Sequence, residues 1–210
     1  MATILPFRRA APSPLAAFVL EVTLADVRPA IWRRLRVAQS LTLRELHHVL
    51  QIAFGWNDSH LHEFRAGERR FGIVDPEDNY AERPLDEREA ALGAIASAQG
   101  RLEYAYDFGD DWVLEIAVKA SPPLEPNAPK AECLEGARAG PPDDCGGPGG
   151  YERLVEVLAD KTHEDYKDLR RWAGARFHPE KLALASINRE IRRAGTRAFR
   201  TSRERGYDGL

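Results

Sequence analysis

LEYAYDFGDDWVLEIAVK, residues 102–119, decides the fold. It holds two stretches of apolar and polar alternation, Leu102–Phe108 and Trp112–Lys119, joined by Gly109-Asp110-Asp111. Side chains two apart share a face of a strand, so Trp112, Leu114, Ile116 and Val118 make one apolar side. Two such runs around a Gly/Asp turn predict a β-hairpin, and a hairpin means antiparallel pairing.

Upstream, Phe18–Leu24 alternates in the same way, with Phe18, Leu20, Val22 and Leu24 on one face. Pro29 interrupts, and Ile31–Val37 resumes as an arginine-rich strand. The next element is a helix. Thr42 and Glu45 have capping-box spacing, Leu41 can staple onto Leu46, and Leu43, Leu46, His47, Leu50 and Phe54 line one stripe before Gly55. Asn57-Asp58 reads as a turn ahead of short strands over 60–65 and 70–74. Residues 75–88 are polar and proline-punctuated and read as loop, with a turn or two of helix over 90–97. From 121 to 150 the composition turns to proline, glycine and small residues without periodicity, which predicts one long loop. Helices are expected from Tyr151, over 164–172 and over 179–193.

Strands with one strong helix first and helices last predict an α+β fold: an antiparallel sheet of about five to six strands, helices packed against it, and a helical C-terminal part. The chain of 210 residues is read as one domain over 18–195, between an extension over 1–17 and a basic tail over 196–210. Hydrophobic residues are 43% and charged residues 30%, with a net charge of −3, so an all-over nucleic-acid surface is excluded. No apolar run approaches the length of a membrane span or a signal-peptide core, which predicts a cytoplasmic protein that meets no membrane. Cys133 and Cys145 are then expected to be free thiols.

Four stretches carry a family resemblance. They are Arg28-Pro29-Ala30-Ile31-Trp32-Arg33, Gly55-Trp56-Asn57-Asp58-Ser59-His60-Leu61-His62, Tyr104 to Trp112, and Pro141-Pro142-Asp143-Asp144-Cys145-Gly146-Gly147 with Gly149-Gly150-Tyr151 after it. In this order and spacing the chain resembles the plasmid pRiA4b ORF-3-like family. The resemblance implies a mixed α+β domain, found with plasmids and insertion elements, whose members sometimes carry a TnpR or resolvase label. It implies no agreed activity. A recombinase holds its scissile phosphate with arginines around a Ser or Tyr nucleophile, and no Ser or Tyr here has that setting. Two positions depart from the family pattern. Leu114 stands where many relatives offer histidine, and His178 where an acid is common.

The candidate ligand cleft is His47, His60, His62, Asp107, Asp110, Asp111 and Trp112. His60 and His62, two apart on an expected strand, point to one face, and His47 reaches toward them from the helix. That arrangement suits either imidazoles satisfying backbone carbonyls or metal ligands, His60 and His62 with Asp111. No metal or other cofactor is expected, because Leu114 removes a further imidazole. Asp107-Phe108-Gly109 coincides with the magnesium motif of kinases, but no glycine-rich loop or catalytic loop accompanies it. Gly109 with the flanking acids makes better sense as turn chemistry. The glycines of 146–150 precede a helix without the Lys-Ser/Thr of a phosphate loop. Cys133 and Cys145 lack the paired spacing of a zinc site. At the other end Arg192, Arg193, Arg197, Arg200, Arg203 and Arg205 form a candidate nucleic-acid arm. Three readings follow: a non-catalytic binding or regulatory module, a metal-dependent hydrolase using the His/Asp cleft, and a nucleic-acid accessory protein. The partner expected is an unidentified protein or nucleic acid.

Overall fold

A computed structural model of the chain describes residues 15–74 and 83–201. Among the described residues there is one sheet of eight strands, with five helices. The strands are β1 (Leu15–Leu24), β2 (Trp32–Ala38), β3 (His62–Ala66), β4 (Arg69–Gly72), β5 (Leu85–Asp86), β6 (Arg101–Tyr106), β7 (Trp112–Leu124) and β8 (Ala131–Ala137). The helices are α1 (Leu43–Phe54), α2 (Leu92–Gln99), α3 (Gly147–Ala159), α4 (Tyr166–Ala173) and α5 (Leu184–Thr201). The sheet order is β5-β4-β3-β6-β7-β1-β2-β8, antiparallel throughout except for the short β4–β5 pair.

The expected hairpin is the centre of this sheet. Tyr106 pairs with Trp112 and Leu102 with Ile116, so the period-2 faces of β6 and β7 coincide. β1 runs along the other side of β7, Leu24 opposite Leu114 and Val22 opposite Ile116. Tyr104, Tyr106, Trp112, Leu114, Ile116, Leu20, Val22 and Leu24 are all buried, whereas Glu21, Thr23, Glu103 and Glu115 line a shallow polar groove on the opposite face. An antiparallel sheet with one dry face and one wet face needs a single covering layer. α1 lies in that layer and buries Leu43, Leu46, Leu50 and Phe54. Its ends follow the sequence signals. Thr42 and Glu45 bond reciprocally at the start, and Gly55 closes the end in the left-handed region at φ 82°.

The sheet has eight strands rather than five to six, and the two further strands lie in stretches read as loop: β5 within 75–88 and β8 within 121–150. β7 continues to Leu124, and β8 forms a further strand along β2. The sequence of β8, AECLEGA, has little β preference. Its pairing is fixed from outside. Arg34 meets Glu135 and Arg36 meets Glu132 across the ladder, while Ala131 and Cys133 face the core. The Asn188 side chain of α5 then accepts from the Cys133 N–H and donates to the Cys133 carbonyl, both at 2.8 Å. One amide side chain thereby caps an exposed sheet edge and pins α5 to it. Arg33, almost wholly buried, donates from Nε to the Ala53 carbonyl at 2.8 Å and ties the last turn of α1 to β2. Burial pulls its guanidinium down to about 10.

Candidate functional site

Three segments meet at one end of the sheet: the α1–β3 connection (55–61), the β6–β7 turn (107–111) and the 139–147 loop that enters α3. Aspartates hold the junction together. Asp107 sits in the left-handed region at φ 56°, and its Oδ1 accepts the N–H groups of Gly109 and Asp110. Asp110 Oδ2 accepts the Gly146 N–H. Asp143 accepts from the Asn57 N–H at 2.8 Å and from the Tyr106 hydroxyl at 3.3 Å, and burial pushes its carboxyl above the usual range. The glycines of this region serve close approach. A Cβ on Gly140 would lie 1.9 Å from the Phe54 carbonyl oxygen, and one on Gly147 2.5 Å from that of Asp110.

The histidines divide into two groups. His60 lies at a bend ahead of β3, so the two-residue alternation that would align it with His62 does not reach it. His62 turns inward instead and stacks on His47, ring centroids 3.7 Å apart at 16°. The one-face placement of His60 and His62 is therefore corrected. Around His47 a closed ring of hydrogen bonds forms. The Asp58 N–H donates to Gln51 Oε1 (2.8 Å), Gln51 Nε2 donates to the Tyr104 oxygen (2.9 Å), and the Tyr104 hydroxyl meets His47 Nδ1 (2.7 Å). His47 Nε2 lies 2.7 Å from Asp58 Oδ1 and completes the ring. Burial lowers the His47 pKa to about 4 against the opposing pull of Asp58. At neutral pH the imidazole is therefore uncharged, with Nε2–H donating to Asp58 and Nδ1 accepting from Tyr104. Burial also raises Tyr104 well above the ordinary phenol value, so its proton stays available to donate.

His62 makes the second half of this buried group. Its Nε2 lies 2.7 Å from Glu87 Oε2, and Arg44 reaches the other oxygen of Glu87 at 3.3 Å. Burial raises Glu87, but the His62 hydrogen bond and the nearby charges of His62 and Arg44 outweigh it and hold the carboxyl low. His47, His62 and Asp58 put ligand atoms within 4.8 Å of one another. They cannot share an ion as arranged: the lone pairs of two imidazoles lie in nearly parallel planes and do not converge on one point.

The second group does converge. His60 Nε2 lies 3.2 Å from Asp144 Oδ1 and 3.5 Å from Asp107 Oδ2. The nitrogen is buried and out of line for a hydrogen bond with either acid. Leu61 and Phe108 stand exposed beside this corner, joined through the Asp107 N–H to Leu61 carbonyl bond.

Of the residues expected to frame a cleft, His60, Asp107 and Asp110 lie at the junction and Asp111 is exposed on the turn. His47 and Trp112 are wholly buried, Trp112 beside Trp56, and so face no cleft. Asp58, Tyr104, Gln51, Glu87 and Asp144 are the residues that sequence reasoning missed. Asp58 and Asp144 stood inside quoted motifs; Glu87 stood in a segment read as loop. Two grooves open nearby. One of about 480 Å³ is walled by Ile52, Phe54, Phe177, Leu182 and Ile187, with Asn57, Asp143, Asp144 and Lys181 also lining it. The other, about 420 Å³, runs past Cys145, Arg153, Leu154, Asp165 and Leu169. Asp144 and the half-exposed Trp172 belong to both.

Cys133 and Cys145 are free thiols, and burial followed by the charge of Asp110 pushes Cys145 up to about 12. His163 and His178 accept backbone N–H groups within their own turns. Arg192 and Arg193 are exposed on α5, Arg197 and Arg200 continue that helix, and Arg203 and Arg205 lie outside the described residues. Among the described residues no helix is long and apolar enough to cross a membrane.

The family model for plasmid pRiA4b ORF-3-like proteins matches residues 16–186, which include every segment of this junction. The chain belongs to the plasmid pRiA4b ORF-3-like family. A relative from Sinorhizobium fredii (strain NBRC 101917 / NGR234), the uncharacterized protein y4hQ, is 35% identical over 176 residues, covering 82% of this chain and 89% of its own. A crystal structure of a protein of unknown function, MM3350 from Methanosarcina mazei Go1, superposes with a TM-score of 0.74 at 30% identity. It covers 82% of this chain and 98% of its own. The matched region thus spans most of both relatives.

Proposed function

We propose that this pRiA4b ORF-3-like chain is a non-catalytic binding module, with its ligand seated in the groove between the end of α1, the 139–144 loop and the α4–α5 region. The observation that carries this reading is the pair of grooves sharing Asp144 and the half-exposed Trp172. A cavity of about 480 Å³, lined about equally by polar and apolar surface, has the size of a site for a small ligand or an inserted side chain. The chemistry it suits is a ring or branched aliphatic body against Phe177, Leu182 and Trp172, with a hydrogen-bonding end toward Asn57 and the 139–144 loop. His47 and His62 are engaged with Asp58 and Glu87, which favours holding a ligand over transforming it.

A fragment screen followed by amide and indole NMR tests this. Fragments with an aromatic or branched body should shift the Trp172 indole and the Asn57 and Gly140 amides, and Trp172→Ala should abolish the response. Shifts that persist unchanged in Trp172→Ala, or that map to other surfaces, would remove the groove from consideration.

A further inference from the structure

We infer that His60, Asp107 and Asp144 form a binding site for one divalent transition-metal ion, with Zn²⁺ the preferred occupant. The inference does not depend on what fills the groove. It begins with His60 Nε2, a buried nitrogen that bonds to nothing among the described residues although two carboxylates stand beside it. A proton on that nitrogen is badly aimed at both acids. An ion between the three groups is well placed for all of them. Donors held at about 2.0–2.2 Å from a tetrahedral ion stand roughly 3.3–3.5 Å apart. The His60 nitrogen is 3.2 Å from Asp144 Oδ1 and 3.5 Å from Asp107 Oδ2, and all three donor atoms lie within 4.8 Å of one another.

The supports of the site are also built. Asp107 is nine-tenths buried, and its Oδ1 is fixed by the Gly109 and Asp110 N–H groups, which leaves Oδ2 turned to His60. Such outer hydrogen bonds orient a ligating carboxylate. Asp144, in contrast, is 72% exposed and leaves an open side where water or a ligand oxygen completes the coordination. One nitrogen and two carboxylate oxygens suit Zn²⁺ above Mn²⁺, and Mg²⁺ least, by the usual order of affinities. The ion would join the α1–β3 connection, the β6–β7 turn and the 139–147 loop through one point.

Calorimetric titration of the chelator-stripped full chain with ZnCl₂, together with its melting temperature, tests the site. One equivalent of Zn²⁺ should bind and raise the melting temperature, since an ion held by the native state alone stabilises it. His60→Gln and Asp144→Asn should each weaken binding by about tenfold or more. Both changes are conservative, and Asn tolerates the φ of 60° found at residue 144. His62→Gln should keep the affinity, because His62 belongs to the stacked pair with His47. Absence of saturable binding overturns the inference. So does equal affinity in His60→Gln and Asp144→Asn, or a loss in His62→Gln as large as theirs.

Discussion

Tyr104 shows how much one hydroxyl can organise. It lies at 0% exposure on β6, accepts from Gln51 and donates to His47, and through them fixes Asp58 in its turn. Removing it strands two buried polar groups at once. Tyr104→Phe should therefore cost about 1–3 kcal/mol in urea denaturation. Tyr106→Phe loses only two contacts of 3.3 Å, to Ser59 N–H and Asp143, and should cost less. Equal losses from the two changes would mean that the ring around His47 contributes nothing of its own. Trp112 makes the complementary point. Its indole is 1% exposed and its Nε1 has no partner among the described residues, so packing alone holds it. Trp112→Ala should cost about 3–5 kcal/mol by equilibrium unfolding, and a midpoint equal to the parent's would contradict this packing.

At the level of elements, the 139–147 loop is docked by backbone contact, and its glycines differ in consequence. Gly140→Ala would drive a Cβ into the Phe54 carbonyl at 1.9 Å and should destabilise by about 1–3 kcal/mol or more. Gly149, in the first turn of α3, has nothing within 4 Å, so Gly149→Ala should be neutral or stabilise by up to about 1 kcal/mol. Thermal melts of the two variants decide between a docked loop and a loose one, and matching melts would indicate the latter. This loop also marks the limit of what the sequence discloses. α1 was legible to its caps, because a capping box and a glycine stop are local signals. The hairpin of β6 and β7 was legible for the same reason. β8 was not, since its pairing depends on Arg34 and Arg36 of β2 and on Asn188 of α5, partners distant in sequence. The site divided in the same way. His60 and Asp107 were visible as motif residues, but Asp144 joins them only through the fold, and a bend at His60 parted it from His62.

For the whole molecule, the buried polar layer between α1 and the sheet ties stability to pH. His47 titrates near 4 in the native state because burial opposes its charge, and near 6.5 when unfolded. Above pH 6.5 both states hold a neutral imidazole, and the contribution is fully present. As pH falls from 6.5 toward 4 the unfolded chain takes up a proton that the native chain refuses, so stability declines across that window. The loss is complete below about 4 and amounts to at most about 3 kcal/mol. Burial, then the charge of Arg44, lowers His48 as well, and adds to the same decline. Asp58 and Glu87 act in the same direction but lower down. Burial raises each, yet hydrogen bonds from His47 and His62 hold them below the ordinary carboxylate range, so their contribution disappears only under acid conditions beyond the His47 window. Urea midpoints measured from pH 8 to pH 4 should thus be flat at first and then fall. His47→Gln, whatever its cost at pH 8, should make the slope between 6.5 and 4.5 shallower and leave the part that His48 contributes. A slope as steep in His47→Gln as in the parent would place the acid sensitivity elsewhere and separate it from the ring that joins α1 to the sheet.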